Sequence, residues 1–108
     1  MTDMILIYIT CNNEEEANKI GNHLLKKRLG ACFNIINGMK STYWWPPKSN
    51  KIEESNETIL IVKTLENKFD EVEKEVLKIH SSDTPCLIAI PTVNVAKKYF
   101  EWIKGEIR

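Results

Sequence analysis

Met4-Ile5-Leu6-Ile7-Tyr8-Ile9-Thr10 is an almost unbroken apolar run, and Cys11-Asn12-Asn13-Glu14-Glu15-Glu16 ends it abruptly. A run of that length and Ile content reads as a central strand covered on both faces. Asn13 has the chemistry of a helix N-cap, and the three glutamates place negative charge at the positive end of the helix dipole. Ala17, Ile20, Leu24 and Leu25 recur at helical spacing and define one apolar stripe. Lys26, Lys27 and Arg28 suit the C-terminal end, and Gly30 is placed to close the helix in a left-handed conformation. The first unit is therefore strand then helix.

Outward from that unit, residues 31–36 read as a second strand, with Asn37-Gly38 as a turn or bulge and extended structure resuming over 39–45. Pro46-Pro47-Lys48-Ser49-Asn50 is a loop, because neither proline can donate to a ladder. Residues 57–64 form the third strand, most simply as a hairpin with the second. Asn67 is expected to cap a second helix together with Asp70, and Phe69, Val72, Val76 and Ile79 make its buried stripe. Residues 80–85 end that helix, and residues 86–90 form a fourth strand stopped by Pro91. Ala96, Tyr99, Phe100, Ile103 and Ile107 are the apolar face of a C-terminal helix. The order β-α-β-β-α-β with an added helix predicts an α+β fold: a ferredoxin-like sandwich of four antiparallel strands with two helices on one face. The other face carries more apolar surface than one short helix covers, which points to a second subunit.

The 108 residues carry 15 Lys+Arg against 15 Asp+Glu, with 43% apolar content. That length reads as one domain over residues 1–108, with enough chain for one core. Zero net charge removes the usual electrostatic reason to expect nucleic acid or an anionic membrane as partner. The RNP1-type aromatic segment and a Gly-rich phosphate loop are both missing. Residues 5–9 are too short an apolar stretch for a secretory signal or a membrane span. Cys11, Cys32 and Cys86 are odd in number and widely spaced, which argues against a disulfide framework or zinc knuckle and for a reducing, cytoplasmic setting.

Three features bear on chemistry. His80 and Cys86 flank a proline turn; imidazole and thiolate suit copper or zinc, and Asp83 adds an oxygen. The alternative is a helix-terminal His bonding the last carbonyls beside a small buried Cys. Cys32 with a distant His suggests a nucleophile and base, but its place in an apolar strand favours packing, and His23 reads as a solvated helix residue. No catalytic constellation stands out, so an enzyme is not expected. Trp44-Trp45-Pro46-Pro47 reads as a subunit contact, as a loop folded over its own core, or as a Pro-rich ligand for another module.

Several segments together resemble the CutA family, the divalent-cation tolerance proteins. Arg28-Leu29-Gly30-Ala31-Cys32-Phe33-Asn34-Ile35 is similar to that family's R-L-A-A-C-V-N-I, and Ser41-Thr42-Tyr43-Trp44-Trp45 to its S-x-Y-W-W. Lys51-Ile52-Glu53-Glu54, Glu57 with Lys63-Thr64, and Tyr99-Phe100-Glu101-Trp102-Ile103 extend the likeness over nearly the whole chain. The resemblance implies a homotrimer similar to PII signalling proteins, with Tyr43, Trp44, Trp45 and Trp102 at subunit contacts. It implies a role in tolerance of copper and other divalent ions, with His80, Cys86 and Asp83 as ligands and no obligatory cofactor. Cys32, Tyr43 and Lys63 would line an intersubunit cleft. An alternative is a PII-like signalling or scaffold module that binds a small metabolite or a partner protein there. The family's H-P-Y-E-V-P-E turn is here His80-Ser81-Ser82-Asp83-Thr84-Pro85-Cys86. Cysteine in place of the last glutamate either shifts the site toward Cu(I) or removes it.

Overall fold

The computed structural model describes residues 2–108; Met1 lies outside the described residues. Strand β1 (Met4–Cys11) leads into helix α1 (Glu14–Lys26), then the hairpin strands β2 (Cys32–Trp44) and β3 (Ile52–Leu65). A 3-10 turn (Glu66–Lys68), helix α2 (Phe69–Ile79), strand β4 (Leu87–Pro91) and helix α3 (Lys97–Glu106) complete the chain. The four strands are antiparallel in the order β2-β3-β1-β4, which is the expected ferredoxin-like arrangement. β1 is central, as its apolar run required.

Alternation along the strands sets two unlike faces. Ile5, Ile7, Ile9 and Cys11 of β1 join Leu60 and Val62 of β3 against Ala17, Ile20 and Leu24 of α1 and Val72 and Val76 of α2. On the opposite face α3 covers only one end, burying Met4, Ile103 and Ile107 beside Leu6, Leu65 and Tyr99. Ile36, Ile88 and Ile90 remain 48%, 52% and 42% exposed there.

Local chemistry explains where the elements start and stop. The Asn13 side chain accepts from Glu16 N at 2.8 Å, so the expected cap is in place. At the other end of α1 it is Arg28, at φ 59°, that turns left-handed rather than Gly30. Leu29 N donates to Leu24 O and Arg28 N to Leu25 O, the paired bonds of a Schellman closure. An arginine is held in that conformation because its guanidinium bonds Glu106 at 2.7 Å and its carbonyl accepts from Arg108 N. Gly30 serves a different need: a Cβ there would meet Val62 Cγ1 at 2.8 Å.

Three boundaries differ from expectation. β3 begins at Ile52, five residues before the predicted start at Glu57, because β2 pairs with it as far as Trp44↔Ile52. A bulge between Ile36 and Met39, with Gly38 at φ 81°, lets the ladder bend and continue. Asn67 caps nothing: Glu66 N donates to Asp3 O, the chain turns as a 3-10 segment, and α2 starts at Phe69 with no side-chain cap. β4 includes Pro91, which a margin strand tolerates since its outer side needs no N–H.

Candidate functional site

The turn that follows α2 is fixed by His80. One ring nitrogen, Nε2, lies 2.7 Å from Thr10 O, and the other, Nδ1, accepts from Ser82 N at 3.0 Å. A carbonyl only accepts and an amide only donates, so the proton sits on Nε2 and the Nδ1 lone pair is occupied. Glu16 locks the same turn to the start of α1. Its Oε1 accepts from Asn12 N at 2.8 Å and its Oε2 from Ser81 N at 2.7 Å, with His80 Nε2 3.9 Å away. Burial pushes the Glu16 carboxyl up, but the bonds from Asn12 and Ser81 and the nearby His80 outweigh it and hold the group below the ordinary carboxylate range.

Cys11, Glu16 and His80 bring their ligand atoms within 4.8 Å of one another. The predicted trio of His80, Cys86 and Asp83 is not gathered in this way. Asp83 is exposed, with its carboxylate accepting from the Thr84 hydroxyl, and Cys86 is half-buried and lines the neighbouring cleft. Two sequence signals pointed to the missed pair. Cys11 continues the alternation of Ile5, Ile7 and Ile9, and Glu16 stands three residues after the cap Asn13, where a helix-start carboxylate turns back. Burial, then the Glu16 and Glu57 charges, push the Cys11 thiol up to about 12. Burial and then Glu57 likewise raise Cys86.

Beyond the turn lies an open cleft of about 790 Å³, walled by the outer hairpin, with Tyr43, Trp45, Glu53, Glu57, His80 and Cys86 among its lining side chains. Two carboxylates and a thiol face it, and no lysine or arginine lines it. Its electrostatics therefore favour a cation.

Cys32 and Lys63 face each other across β2 and β3, with Lys63 Nζ 3.9 Å from Cys32 Sγ. Tyr43 is eleven residues farther along β2, about 35 Å at strand rise, so one protomer does not unite the three. Trp44 is 67% exposed at the hairpin tip, so that loop does not fold back over its own core. Trp102 is also exposed, tilted against Tyr99 with ring centroids 5.6 Å apart. His23 is not merely solvated: its Nε2 meets Glu75 at 2.8 Å, beside Lys27 and Lys78.

A profile of the family described as CutA1 divalent ion tolerance protein matches residues 5–106. The divalent-cation tolerance protein CutA of Archaeoglobus fulgidus is 46% identical over 97 residues, covering 90% of this chain and 91% of that protein. A solved Archaeoglobus fulgidus structure, described as a periplasmic divalent cation tolerance protein CutA, superposes with a TM-score of 0.91 at 43% identity, covering 97% of this chain and 99% of that one. The chloroplastic protein CutA 1 of Oryza sativa is 35% identical over 104 residues, and the match takes in 96% of this chain but 57% of that protein. The cytoplasmic expectation is thereby corrected: these relatives are described as periplasmic and chloroplastic. The physical reason lies partly in Cys11, which is buried and kept protonated, so that its free thiol is inert in either redox setting.

Proposed function

This chain belongs to the CutA1 divalent ion tolerance family, and from that premise we propose that it acts as a homotrimer that binds divalent or soft cations weakly, copper among them. Each subunit is one domain, and binding lowers the free ion concentration without a catalytic step. The observation that carries this reading is the charge inventory of the cleft: Glu53, Glu57 and Cys86 face it with no lysine or arginine among its lining residues. Cys86 and Glu57 are the inner ligands, and Asp83, between the cleft-lining Ser82 and Thr84, is a further oxygen donor. His80 contributes by holding the turn, because both of its ring nitrogens are already engaged; direct ligation through it requires breaking one of those bonds.

The subunit contacts in this reading are Tyr43, Trp44, Trp45 and Trp102, all large and exposed in the protomer. Cys32 and Lys63 of one copy meet Tyr43 of the next. A cation must displace the Cys86 proton, so affinity rises with pH.

Calorimetric titration with Cu(I) and Cu(II) tests the site on the wild type and on His80→Ala, Cys86→Ser and Glu57→Gln. Cys86→Ser is expected to weaken Cu(I) binding by about tenfold or more, in line with loss of a ligand or its support. Absent binding, or binding unchanged in every variant, removes the metal site from the reading. Light scattering on the wild type tests assembly, and a monomeric mass at micromolar concentration refutes the trimer.

A further inference from the structure

Among the described residues, Cys32 is the one thiol with a lysine nitrogen in contact with its sulfur. Cys11 is fully buried, and burial with the Glu16 and Glu57 charges keeps its proton on; burial and Glu57 act in the same direction on Cys86. Cys32 is half-buried on β2 and stands directly opposite Lys63 on β3, whose Nζ lies 3.9 Å from its Sγ. An ammonium next to a partly exposed sulfur is the setting in which thiols react.

The fold holds this pair together. Val62 and Thr64, on either side of Lys63, are buried, and Thr64 Oγ1 donates to Leu29 O at 2.6 Å. Ala31 N donates to Lys63 O at 3.1 Å. A slip of one residue would bring both buried neighbours onto the open face, so the register is fixed and the two side chains stay opposed. Lys63 makes no ion pair among the described residues; besides Cys32, its Nζ has the centre of the Tyr99 ring 5.7 Å away. No carboxylate therefore anchors the amine away from the sulfur, and its flexible methylene stem can close the gap.

We propose that Cys32 and Lys63 are a peroxide-responsive pair that closes into a reversible sulfur–nitrogen bridge, a sulfenamide. In the first step the Cys32 sulfur attacks an oxygen of hydrogen peroxide and the O–O bond breaks. Sulfur is oxidised to sulfenic acid, peroxide is reduced, and the departing oxygen takes the thiol proton and leaves as water. In the second step the Lys63 amine, its ammonium proton lost to solvent, attacks that sulfur. The S–N bond forms as the S–O bond breaks, and hydroxide leaves with an amine proton as a second water. A thiol reductant restores both side chains by supplying two electrons and two protons. The bridge stops Cys32 short of the irreversible sulfinic state. It joins two residues of one chain, so it depends neither on the proposed trimer nor on the cation cleft.

The test exposes the full chain to a small molar excess of hydrogen peroxide and maps its peptides by mass spectrometry, before and after dithiothreitol. The Cys32 and Lys63 peptides are expected to appear joined, about 2 Da lighter than their sum, and to separate on reduction. A mixture of isotope-labelled and unlabelled chains is expected to give the link only within one label. The link is lost in Cys32→Ser and in Lys63→Arg, which keeps the charge but offers no amine to close the bridge. Dimedone, which captures sulfenic acid, then marks Cys32 more heavily in Lys63→Arg than in the wild type. Thermal melting checks that both variants fold, and the wild-type map decides without them if either does not. Sulfenic or sulfinic acid at Cys32 with Lys63 unlinked, a disulfide at Cys32, a link between labels, or an unmodified Cys32 overturns the inference.

Discussion

The β2–β3 hairpin is one continuous ladder with two different halves. From Thr58 to Thr64 every second residue of β3 is buried: Thr58, Leu60, Val62 and Thr64 lie under the helices. Beyond the Gly38 bulge the pairing continues to Trp44↔Ile52, yet Tyr43, Trp44 and Ile52 are 37%, 67% and 60% exposed. Backbone pairing is the same in both halves; only the cover differs. Strand formation and burial are thus separate events in this chain, and the outer half has the first without the second.

Substitutions along the hairpin sharpen that contrast. Leu60→Ala, under the helices, is expected to cost about 2–5 kcal/mol in denaturant unfolding, the usual range for a cavity at a fully buried leucine. Gly30→Ala drives a methyl to within 2.8 Å of Val62 Cγ1. Valine has little freedom to move aside, so about 1–3 kcal/mol of overpacking should appear in the same measurement. At the border between the halves, Gly38→Ala meets nothing within 4 Å, and its φ of 81° alone sets a cost of about 1 kcal/mol. On the outer half, Ile52→Ala should leave unfolding of the single chain within about 0.5 kcal/mol and instead raise the concentration at which the proposed trimer separates. Equal costs at Leu60 and Ile52 would erase the distinction.

The last contrast appears only in acid. The side-chain bonds from Lys27, His23 and Lys78 hold the Glu75 carboxyl down at about 2, below its ordinary 4.5. A depressed carboxylate stabilises the fold above its unfolded value, and that contribution is lost as pH falls from about 4.5 toward 2. Melting temperatures of the wild type should decline through that window, and Glu75→Gln should flatten the decline.

The inner half and its helices were readable in the residues themselves. The Ile-rich β1, the Asn13 cap and the stripes on α1 and α2 follow from periodicity, and the element order then fixes the fold class. Boundaries escaped where a distant partner decides them. Asn67 has the chemistry of a cap, but the amide of Glu66 is taken by Asp3, from the other end of the chain. Residues 53–56 have little strand propensity and are extended because β2 pairs with them. The site was legible in part for a similar reason. His80 and Cys86 announce themselves beside a proline, and both line the cleft. Glu16 and Cys11 join His80 only through the packing of β1 and α1 against the turn, a contact spanning 65 residues from Glu16 to Ser81.

β2 is the outermost strand on its side of the sheet, and it is 13 residues long. Its outward backbone groups are a template for any extended chain that arrives, interrupted only by the bulge at Gly38. The folding history of a preparation therefore matters as much as its final concentration. Rapid refolding of crowded chains is expected to pair these margins with one another, whereas slow, dilute refolding should let each hairpin bend at its glycine before another strand finds it.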